Sequence, residues 1–231
     1  HLEICRRLLE IPSVKTPTTK EVEFLSVNAV QLVVTAAADN IRDLAIVSLL
    51  YDSGARVSEL CGITIGDLTF SHPHTAKIIG KGRKARVIPL SAQVGNILSH
   101  YITTARHLAA PTEPLFVNRS KNPLGRAGVA YVLQKSVTTA HAHHPEHVPP
   151  KLHPHVMRHS KAMHLLDAGV NLIYIRDFLG HESVTTTEIY ARASTEAKRR
   201  AIKAAEQNIV PQSPYGKEQR ADLVAWLRGL L

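Results

Sequence analysis

The hydrophobic pattern of this sequence is helical almost throughout and changes only once. Segments 68–70, 76–79 and 85–90 are short, rich in β-branched residues and separated by turn residues, which predicts three strands of a small antiparallel sheet. The chain on either side has helical spacing and no internal repeat. We therefore expect a mainly α domain with a small antiparallel β-sheet, an α+β fold.

Capping residues and glycines delimit the helical segments. Ser26, Ser91 and Asn171 are suited to begin helices, and Gly180 is suited to end one. The predicted helices span 27–38, 41–52, 57–61, 92–107, 126–141, 155–168, 172–179, 184–191, 196–207 and 217–230. Because residues 11–20 and 208–216 have the composition of linkers, we expect the main domain to extend from 22 to 207.

Positive charge is concentrated in the middle of the chain. The formal net charge is +9, and residues 71–161 hold 13 Lys and Arg against two acidic residues. Such a region attracts a polyanion, most simply nucleic acid, although a solvated basic face is the alternative. No apolar run is long enough to span a membrane. The two cysteines, Cys5 and Cys61, suggest neither a disulfide framework nor a metal site, so a cytoplasmic location is expected.

Two basic residues in the first half of the chain could bind a phosphate. Arg56 stands at the entry of a short helix, where backbone amides favour an anion, and Glu59 could hold its side chain or cap the turn. Lys81 lies between two glycines at the tip of the predicted hairpin, which lets the tip approach a ligand closely. A structural arginine and a solubilising lysine are the alternatives, and Lys84 and Arg86 compete with Lys81 for a phosphate role.

The segment 152–190 concentrates imidazole, guanidinium and phenol side chains. His155 and Arg158 are three residues apart at a predicted helix start and share one face, and an arginine can hold two phosphate oxygens at once. His181 follows the glycine that ends the next helix, and Tyr190 stands nine residues later. Each has a structural alternative when taken alone, such as a capping histidine or a packed tyrosine ring. Together they suit chemistry on a phosphate ester.

Histidines also cluster in the loop between the predicted helices 126–141 and 155–168. They are His141, His143, His144, His147 and His153. Zinc sites need three or four ligands on a rigid frame, usually with cysteine or carboxylate among them. This loop is rich in proline and has no nearby cysteine, so we expect no specific metal site. A polar loop near DNA or adventitious metal binding is the preferred interpretation.

Three segments, taken in order, resemble the tyrosine recombinase (phage integrase) family, which includes the Xer recombinases. They read LLYDSGARVSEL, IIGKGRKARVIPL and LGHESVTTTEIY, the last nearly unaltered from the family pattern. The resemblance covers roughly residues 22–200 and implies the tyrosine recombinase catalytic-domain fold. Met157 stands where Leu is usual in the family, a position that suits packing.

The resemblance implies a catalytic set and its chemistry. The set is Arg56, Lys81, His155, Arg158, His181 and Tyr190. Tyr190 would attack a scissile DNA phosphate and form a 3′-phosphotyrosyl intermediate, with no metal, ATP or other cofactor. His155 is expected as the base and Lys81 as the acid for the departing 5′ oxygen, while the remaining members stabilise the phosphorane. We expect His153, His159 and His164 to be scaffold.

The basic region supplies further expected contacts to DNA. The candidates are Arg83, Lys84, Arg86, Lys121, Arg126 and Lys151. The expected partners are double-stranded DNA and further copies of the chain, as a tetramer on paired DNA sites. The expected function is site-specific recombination or integration, as carried out for mobile genetic elements.

Both ends of the chain are interpreted through the same resemblance. Residues 1–21 correspond to the end of a core-binding domain and an interdomain linker, so we expect a truncated form of a longer recombinase. Residues 208–231 would be a linker and a C-terminal helix that docks on a neighbouring subunit or on its own domain.

Three other functions remain as alternatives. A type IB topoisomerase uses similar chemistry, but the Xer-like spacing argues against it. An inactive DNA-binding module is a second alternative, which the presence of every chemical residue disfavours. A metal-binding protein built on the histidine loop is the third.

Overall fold

The computed structural model of the protein describes residues 22–194 and Arg199. Its elements, in chain order, are α1 (Val27–Thr35), α2 (Ile41–Asp52), α3 (Val57–Cys61), β1 (Leu68–Thr69), β2 (Thr75–Ile79), β3 (Ala85–Pro89), α4 (Ala92–Ala105), α5 (Arg126–His143), α6 (Pro154–Asp167), α7 (Leu172–Leu179) and α8 (Thr185–Ala193). Short 3-10 turns precede β1 and occupy the β2–β3 connection, at Ile65–Asp67 and Lys81–Arg83. The predicted α+β fold class is confirmed.

Helix α2 lies at the centre of this fold. The Asn40 side chain caps it by accepting hydrogen bonds from the backbone N–H groups of Arg42 and Asp43. Its residues 45–50 are all buried, because α2 packs against α4, α5 and α6 at once. A helix that is covered on several sides needs apolar residues all round, which is the pattern that its sequence shows.

The sheet is a three-stranded antiparallel meander in the order β1-β2-β3. Side chains alternate between its faces, so Ile78 and Ile88 are buried while Val87 is 66% exposed. Arg86 pairs with Ile78 across the β2–β3 ladder and is two residues from Ile88, which places it on the buried face. The alternation therefore directs one arginine of the basic hairpin into the protein.

The chain enters the described domain across helix α6. The backbone N–H of Leu25 donates to Ser160 Oγ at 2.9 Å, and His164 Nε2 donates to the Leu25 carbonyl at 2.9 Å. The Tyr51 hydroxyl lies 2.8 Å from His164 Nδ1 and ties the same imidazole to α2. His164 thus joins the chain entry, α2 and α6, a structural arrangement.

The predicted boundaries of the elements lie within three residues of the observed ones. The first helix ends at Thr35 rather than residue 38, because the N–H groups of Ala37 and Ala38 bond to carbonyls three residues back and form turns. Helix α5 continues two residues past the predicted end, to His143. The predicted helices 196–207 and 217–230 lie outside the described residues, and the domain boundaries at 21/22 and 207/208 stay predictions. Within residues 22–194, no helix is both long and apolar enough to cross a membrane.

The junction between α7 and the next loop depends on Gly180. This residue ends α7 with φ +67°, a left-handed conformation that favours glycine. A Cβ there would lie 2.8 Å from an Arg86 guanidinium nitrogen. Arg86 donates to the Phe178 carbonyl and to Glu59, so its guanidinium cannot move aside without losing those bonds.

We expect Gly180→Ala to destabilise the protein more than Gly169→Ala does. Gly169 also has positive φ, +86°, but a Cβ there meets nothing within 4 Å. Both substitutions should lower the free energy of unfolding by about 1–2 kcal/mol, because alanine is disfavoured in the left-handed conformation. Only Gly180→Ala also displaces Arg86. Urea unfolding should show an additional loss of about 1 kcal/mol at Gly180. Equal losses of unfolding free energy in the two variants would mean that displacing Arg86 does not affect stability.

Candidate active site

A buried carboxylate organises the start of helix α3. Glu59 accepts hydrogen bonds from the Arg56 backbone N–H at 2.9 Å and from Arg56 Nη1 at 2.8 Å. On its other side it accepts from Arg86 Nη2 at 2.7 Å. Glu59 therefore both caps the turn and holds the Arg56 side chain, the two roles that its spacing suggested. Arg56 keeps about a third of its side chain exposed, while Glu59 is buried.

The balance of effects on Glu59 favours its charged form. Burial alone would raise its pKa, but the hydrogen bonds from Arg86 and the Arg56 backbone, together with the Arg86 charge, lower the pKa below the usual range. Arg86 also donates from Nε to the Phe178 carbonyl at 3.0 Å. The β3 strand, the start of α3 and the end of α7 are thus joined through a single guanidinium.

Arg158 is buried, with 1% of its surface exposed, at the centre of the site. Its Nη1 donates to the Gly54 carbonyl at 2.7 Å, and its Nη2 donates to the Leu179 carbonyl at 2.8 Å. Burial and the neighbouring Arg56 charge lower its pKa to about 10, so it is still protonated at pH 7. An arginine has five N–H groups, so these two bonds leave further donors for an anion.

Tyr190 lies in α8 with its side chain buried and its hydroxyl bonded to a histidine of α6. The distance from Tyr190 Oη to His159 Nδ1 is 2.9 Å. On the far side of the His159 ring, the His155 ring packs edge-on with centroids 4.6 Å apart. Burial raises the pKa of Tyr190, and the charges of Arg158 and Arg56 oppose that rise only in part. The phenol is therefore protonated at neutral pH.

His155 and His181 complete the imidazole cluster around this tyrosine. His181 stacks against the Tyr190 ring with centroids 6.4 Å apart, and its Nδ1 lies 2.8 Å from Thr187 Oγ1. Burial, then Arg158 and Arg56, lower the pKa of His181 to about 4. Desolvation and the same two arginines also lower the pKa of His155. Burial and the guanidinium groups thus both favour the neutral form of these two imidazoles.

Lys81 stands apart from this cluster. It lies exposed in the β2–β3 connection, between Gly80 and Gly82, and Gly82 has φ +72°. Among the described residues, no hydrogen bond or ion pair links Lys81 to the cluster around Tyr190. The structure therefore brings together five of the six predicted catalytic residues and leaves the lysine on the hairpin beside them.

The predicted DNA-contacting residues divide into an exposed set and one buried exception. The exposed residues are Arg83, Lys84, Lys121, Arg126 and Lys151. The exception is Arg86, whose side chain is 13% exposed and is bonded to Glu59 and to a backbone carbonyl. Its contacts are those of a residue that shapes the site, and a DNA contact by Arg86 stays a prediction.

The histidine loop makes local contacts. His141 donates from Nδ1 to the Val148 carbonyl at 2.7 Å, and Glu146 lies 3.5 Å from His147 and 3.8 Å from His144. Across the part of the chain that the structure describes, no three histidine, cysteine or acidic side chains are grouped to hold a metal ion.

Sequence reasoning missed two features of this site. His159 was expected to be scaffold, yet it contacts the Tyr190 hydroxyl directly. A usable signal was present, because His155 and His159 are four residues apart on one helix and face the same way. Arg86 was expected only as a candidate phosphate or DNA contact, although its alternation with Val87 and Ile88 indicates the buried face.

Comparison with known proteins identifies the family. Residues 23–197 match the phage integrase family. The chain belongs to this family. Among curated relatives, the tyrosine recombinase XerD of Corynebacterium glutamicum is 34% identical over 190 residues, covering 78% of this chain and 60% of the relative. XerA of Pyrococcus horikoshii is 35% identical over 172 residues, covering 74% of this chain and 58% of the relative. The match thus spans about three fifths of each of these relatives.

Solved structures of family members have the same fold. The crystal structure of XerA recombinase superposes with a TM-score of 0.68 at 25% identity, over 80% of this chain and 66% of that chain. XerH, solved with its difH substrate as a pre-cleavage complex, gives 0.67 at 22% identity, over 81% of this chain and 55% of that chain. The resemblance of the sequence to tyrosine recombinases is thereby confirmed, as is the expected catalytic-domain fold.

The buried carboxylate provides a test of the site's framework. We expect Glu59→Gln to lower the free energy of unfolding at pH 7 by about 2 kcal/mol, because two guanidinium groups lose a charged partner. The folded-state pKa of Glu59 is lowered, so the difference between the two proteins persists above the ordinary glutamate pKa of about 4.3. It shrinks as the pH falls through the folded-state pKa, because Glu59 then becomes neutral as well.

Urea unfolding as a function of pH measures this difference, and Asp177→Asn is the matched control. Asp177 pairs with Arg176 at 2.7 Å, but its side chain is 60% exposed, so the control should change stability by less than about 0.5 kcal/mol. If Glu59→Gln lowered the free energy of unfolding as much in acid as at pH 7, the ionised carboxylate would be excluded as the cause of the difference.

Proposed function

We propose that this protein cleaves and rejoins DNA strands through a covalent 3′-phosphotyrosyl intermediate on Tyr190, as a site-specific recombinase or integrase. One observation carries the proposal: a phenol lies within a cluster of two arginines and three imidazoles, on a fold shared with tyrosine recombinases. Family membership and the names of the relatives support it. The covalent link retains the energy of the broken bond, so rejoining needs no nucleotide cofactor.

The two arginines suit the stabilisation of a pentacoordinate phosphorane. Arg158 is fixed by the Gly54 and Leu179 carbonyls, and Arg56 is fixed by Glu59, so neither has to reorganise when charge develops. Donors fixed in advance act strongly where water is excluded. We propose that this charge does the work that metal ions perform in other phosphoryl-transfer enzymes.

His181 is proposed to donate a further hydrogen bond to the phosphate. A neutral imidazole carries one N–H, and Thr187 lies against its Nδ1. When the Thr187 hydroxyl donates to Nδ1, Nε2 carries the hydrogen and can donate to the phosphate. Thr187 is buried in helix α8, and its hydroxyl group fixes the orientation of the His181 ring.

Protonation of the leaving 5′ oxygen is assigned to Lys81. The tip of the β2–β3 hairpin carries Lys81 between two glycines and is free to approach DNA. His155 was the expected base, but the residue in contact with the Tyr190 hydroxyl is His159.

The proposed substrate is double-stranded DNA, which the exposed basic residues of the hairpin tip and of the Lys121–Arg126 region would contact through phosphates. XerH was solved with its difH DNA, and a lambda integrase dimer was solved on a core DNA site. We propose a tetramer on paired sites, with the C-terminal segment 208–231 as a docking element, acting in the cytoplasm. The sequence similarity to Xer recombinases favours recombination over the type IB topoisomerase alternative.

Tyr190→Phe should abolish the covalent protein–DNA adduct on a nicked suicide substrate. Phenylalanine preserves the packing of the ring and removes the attacking oxygen, so no phosphodiester bond to the protein can form. Denaturing electrophoresis detects the adduct. Tyr174→Phe is the control, because Tyr174 is 69% exposed and lies outside the cluster. An adduct that persists in Tyr190→Phe would show that another residue is the nucleophile.

Lys81→Ala should slow cleavage by about 10²–10⁴-fold and be rescued by a substrate with sulfur at the 5′-bridging position. A thiolate leaves without a proton, so a missing acid no longer limits the rate. Lys84→Ala, in the same hairpin, is the control. It should weaken DNA binding, but the ratio of its cleavage rates on the sulfur-containing and ordinary substrates should equal that of the wild-type protein. Sulfur rescue of Lys84→Ala in place of Lys81→Ala would transfer the acid role to Lys84.

A further inference from the structure

The His159 ring lies between two other members of the site. Its Nδ1 is 2.9 Å from Tyr190 Oη, its ring centroid is 5.6 Å from that of Tyr190, and the His155 ring packs against it at 4.6 Å with an interplanar angle of 85°. His159 follows Arg158 directly, so the helix that buries the arginine also directs this imidazole at the nucleophile. The resemblance to tyrosine recombinases assigned no chemical role to this position.

The direction of the His159–Tyr190 hydrogen bond follows from burial. Tyr190 is 1% exposed, so its hydroxyl hydrogen cannot be donated to bulk water. Among the described residues, the His159 ring nitrogen is the hydrogen-bond partner of this hydroxyl. If Nδ1–H donated to the phenol oxygen, the phenol hydrogen would be buried without an acceptor, at a cost of about 1–3 kcal/mol. The favourable arrangement has Nε2 protonated and the Nδ1 lone pair accepting from Tyr190.

The environment of His159 keeps that lone pair available. Burial, then the electrostatic interactions with His155 and Arg158, lower the pKa of His159 to about 4, so the imidazole is neutral at pH 7. A bound phosphodiester adds a negative charge beside Arg158. That negative charge raises the pKa of His159 and so favours its protonation once substrate is present.

We infer that His159 accepts the phenol proton through Nδ1 when Tyr190 attacks the scissile phosphate. This inference rests on the proposed function. In the step, the Oη–P bond forms and the P–O5′ bond breaks, the phenol proton moves from Oη to Nδ1, and the 5′ oxygen takes a proton from Lys81. In rejoining, the 5′ hydroxyl attacks phosphorus and returns its proton to Lys81, the Oη–P bond breaks, and His159 returns its proton to the departing phenolate, so the cycle balances.

His155 is the rival acceptor, and its position argues against it. The His155 ring packs in a T-shaped arrangement with the His159 ring, the hydrogen bond to the Tyr190 hydroxyl is made by His159, and His155 is exposed. In this arrangement His155 is placed for the phosphate and His159 for the nucleophile. Two imidazoles one helical turn apart then serve different atoms of the same reaction.

The test compares asparagine variants by their rates of adduct formation on a pool of nicked DNA duplexes of randomised sequence. Asparagine can still accept a hydrogen bond from Tyr190, but its amide cannot take up a proton at neutral pH. We expect His159→Asn to slow adduct formation by about 10²–10⁴-fold with little change in DNA binding. His153→Asn is the control, because His153 is exposed at the start of the same helix and its side chain caps nothing.

Fluorinated tyrosine separates a proton acceptor from a packing residue. Fluorine lowers the pKa of the phenol, so a nucleophile carrying it depends less on a base. Replacing tyrosine by a trifluorotyrosine throughout should raise the rate of His159→Asn at least about tenfold and should change the wild-type rate far less. The inference would be overturned if trifluorotyrosine accelerated adduct formation in His155→Asn and not in His159→Asn. It would also be overturned if His159→Asn with ordinary tyrosine formed the adduct at the wild-type rate.

A measurement without DNA tests the inference independently of activity. In ¹⁵N-histidine NMR spectra, His159 should have Nε2 protonated and Nδ1 unprotonated, assigned by the loss of its signals in His159→Asn. A protonated Nδ1 would overturn the inference, because that nitrogen could not accept a proton. Absence of any adduct with the wild-type protein would count against the proposed function, and the NMR result would still decide the state of His159.

Discussion

The site depends on one buried guanidinium and the two backbone carbonyls that hold it. Arg158 bonds to Gly54, at the end of the central helix, and to Leu179, at the end of α7. These carbonyls are left free where helices end, so the arginine satisfies helix termini while it is itself immobilised. Its remaining N–H groups are therefore held in a fixed orientation and are available to an anion. A charge that is buried and fixed in this way is costly to maintain, which is a reason to connect it with function rather than with stability.

Burial and the positive charge of Arg158 and Arg56 together explain the protonation state of the groups around Tyr190. Burial is the largest cause of the lowered pKa values of His155, His159 and His181; Arg158 adds to it at all three, and Arg56 adds to it at His155 and His181. Glu59 offsets part of this charge, and Arg86 secures Glu59 from the sheet. The cluster thus combines cationic guanidiniums with neutral imidazoles and a protonated phenol. A phosphodiester is the kind of group that would complete its charge balance.

The elements of the fold could be predicted because each has a local cause. Capping by Ser26, Asn40 and Asn171 and the left-handed Gly180 set helix boundaries, and the alternation in β2 and β3 set the sheet. The side-chain partners could not be read in the same way, since they join residues far apart in sequence. Local patterns place Arg86 on the buried face and His159 on the same face as His155. They do not indicate that Arg86 reaches Glu59, 27 residues away, or that His159 reaches Tyr190, 31 residues away. Family resemblance supplied the names of the proposed catalytic residues, and it did not supply these supporting contacts.

Mass spectrometry of a proteolysed covalent adduct would test the central claim most directly. A nicked suicide duplex traps the intermediate, and nuclease treatment leaves a short nucleotide remnant on the peptide. The account predicts that the remnant lies on the peptide that contains Tyr190, attached to its phenol oxygen through a 3′-phosphate. A remnant on a different residue, or one linked through a 5′-phosphate, would contradict the proposed role of the site.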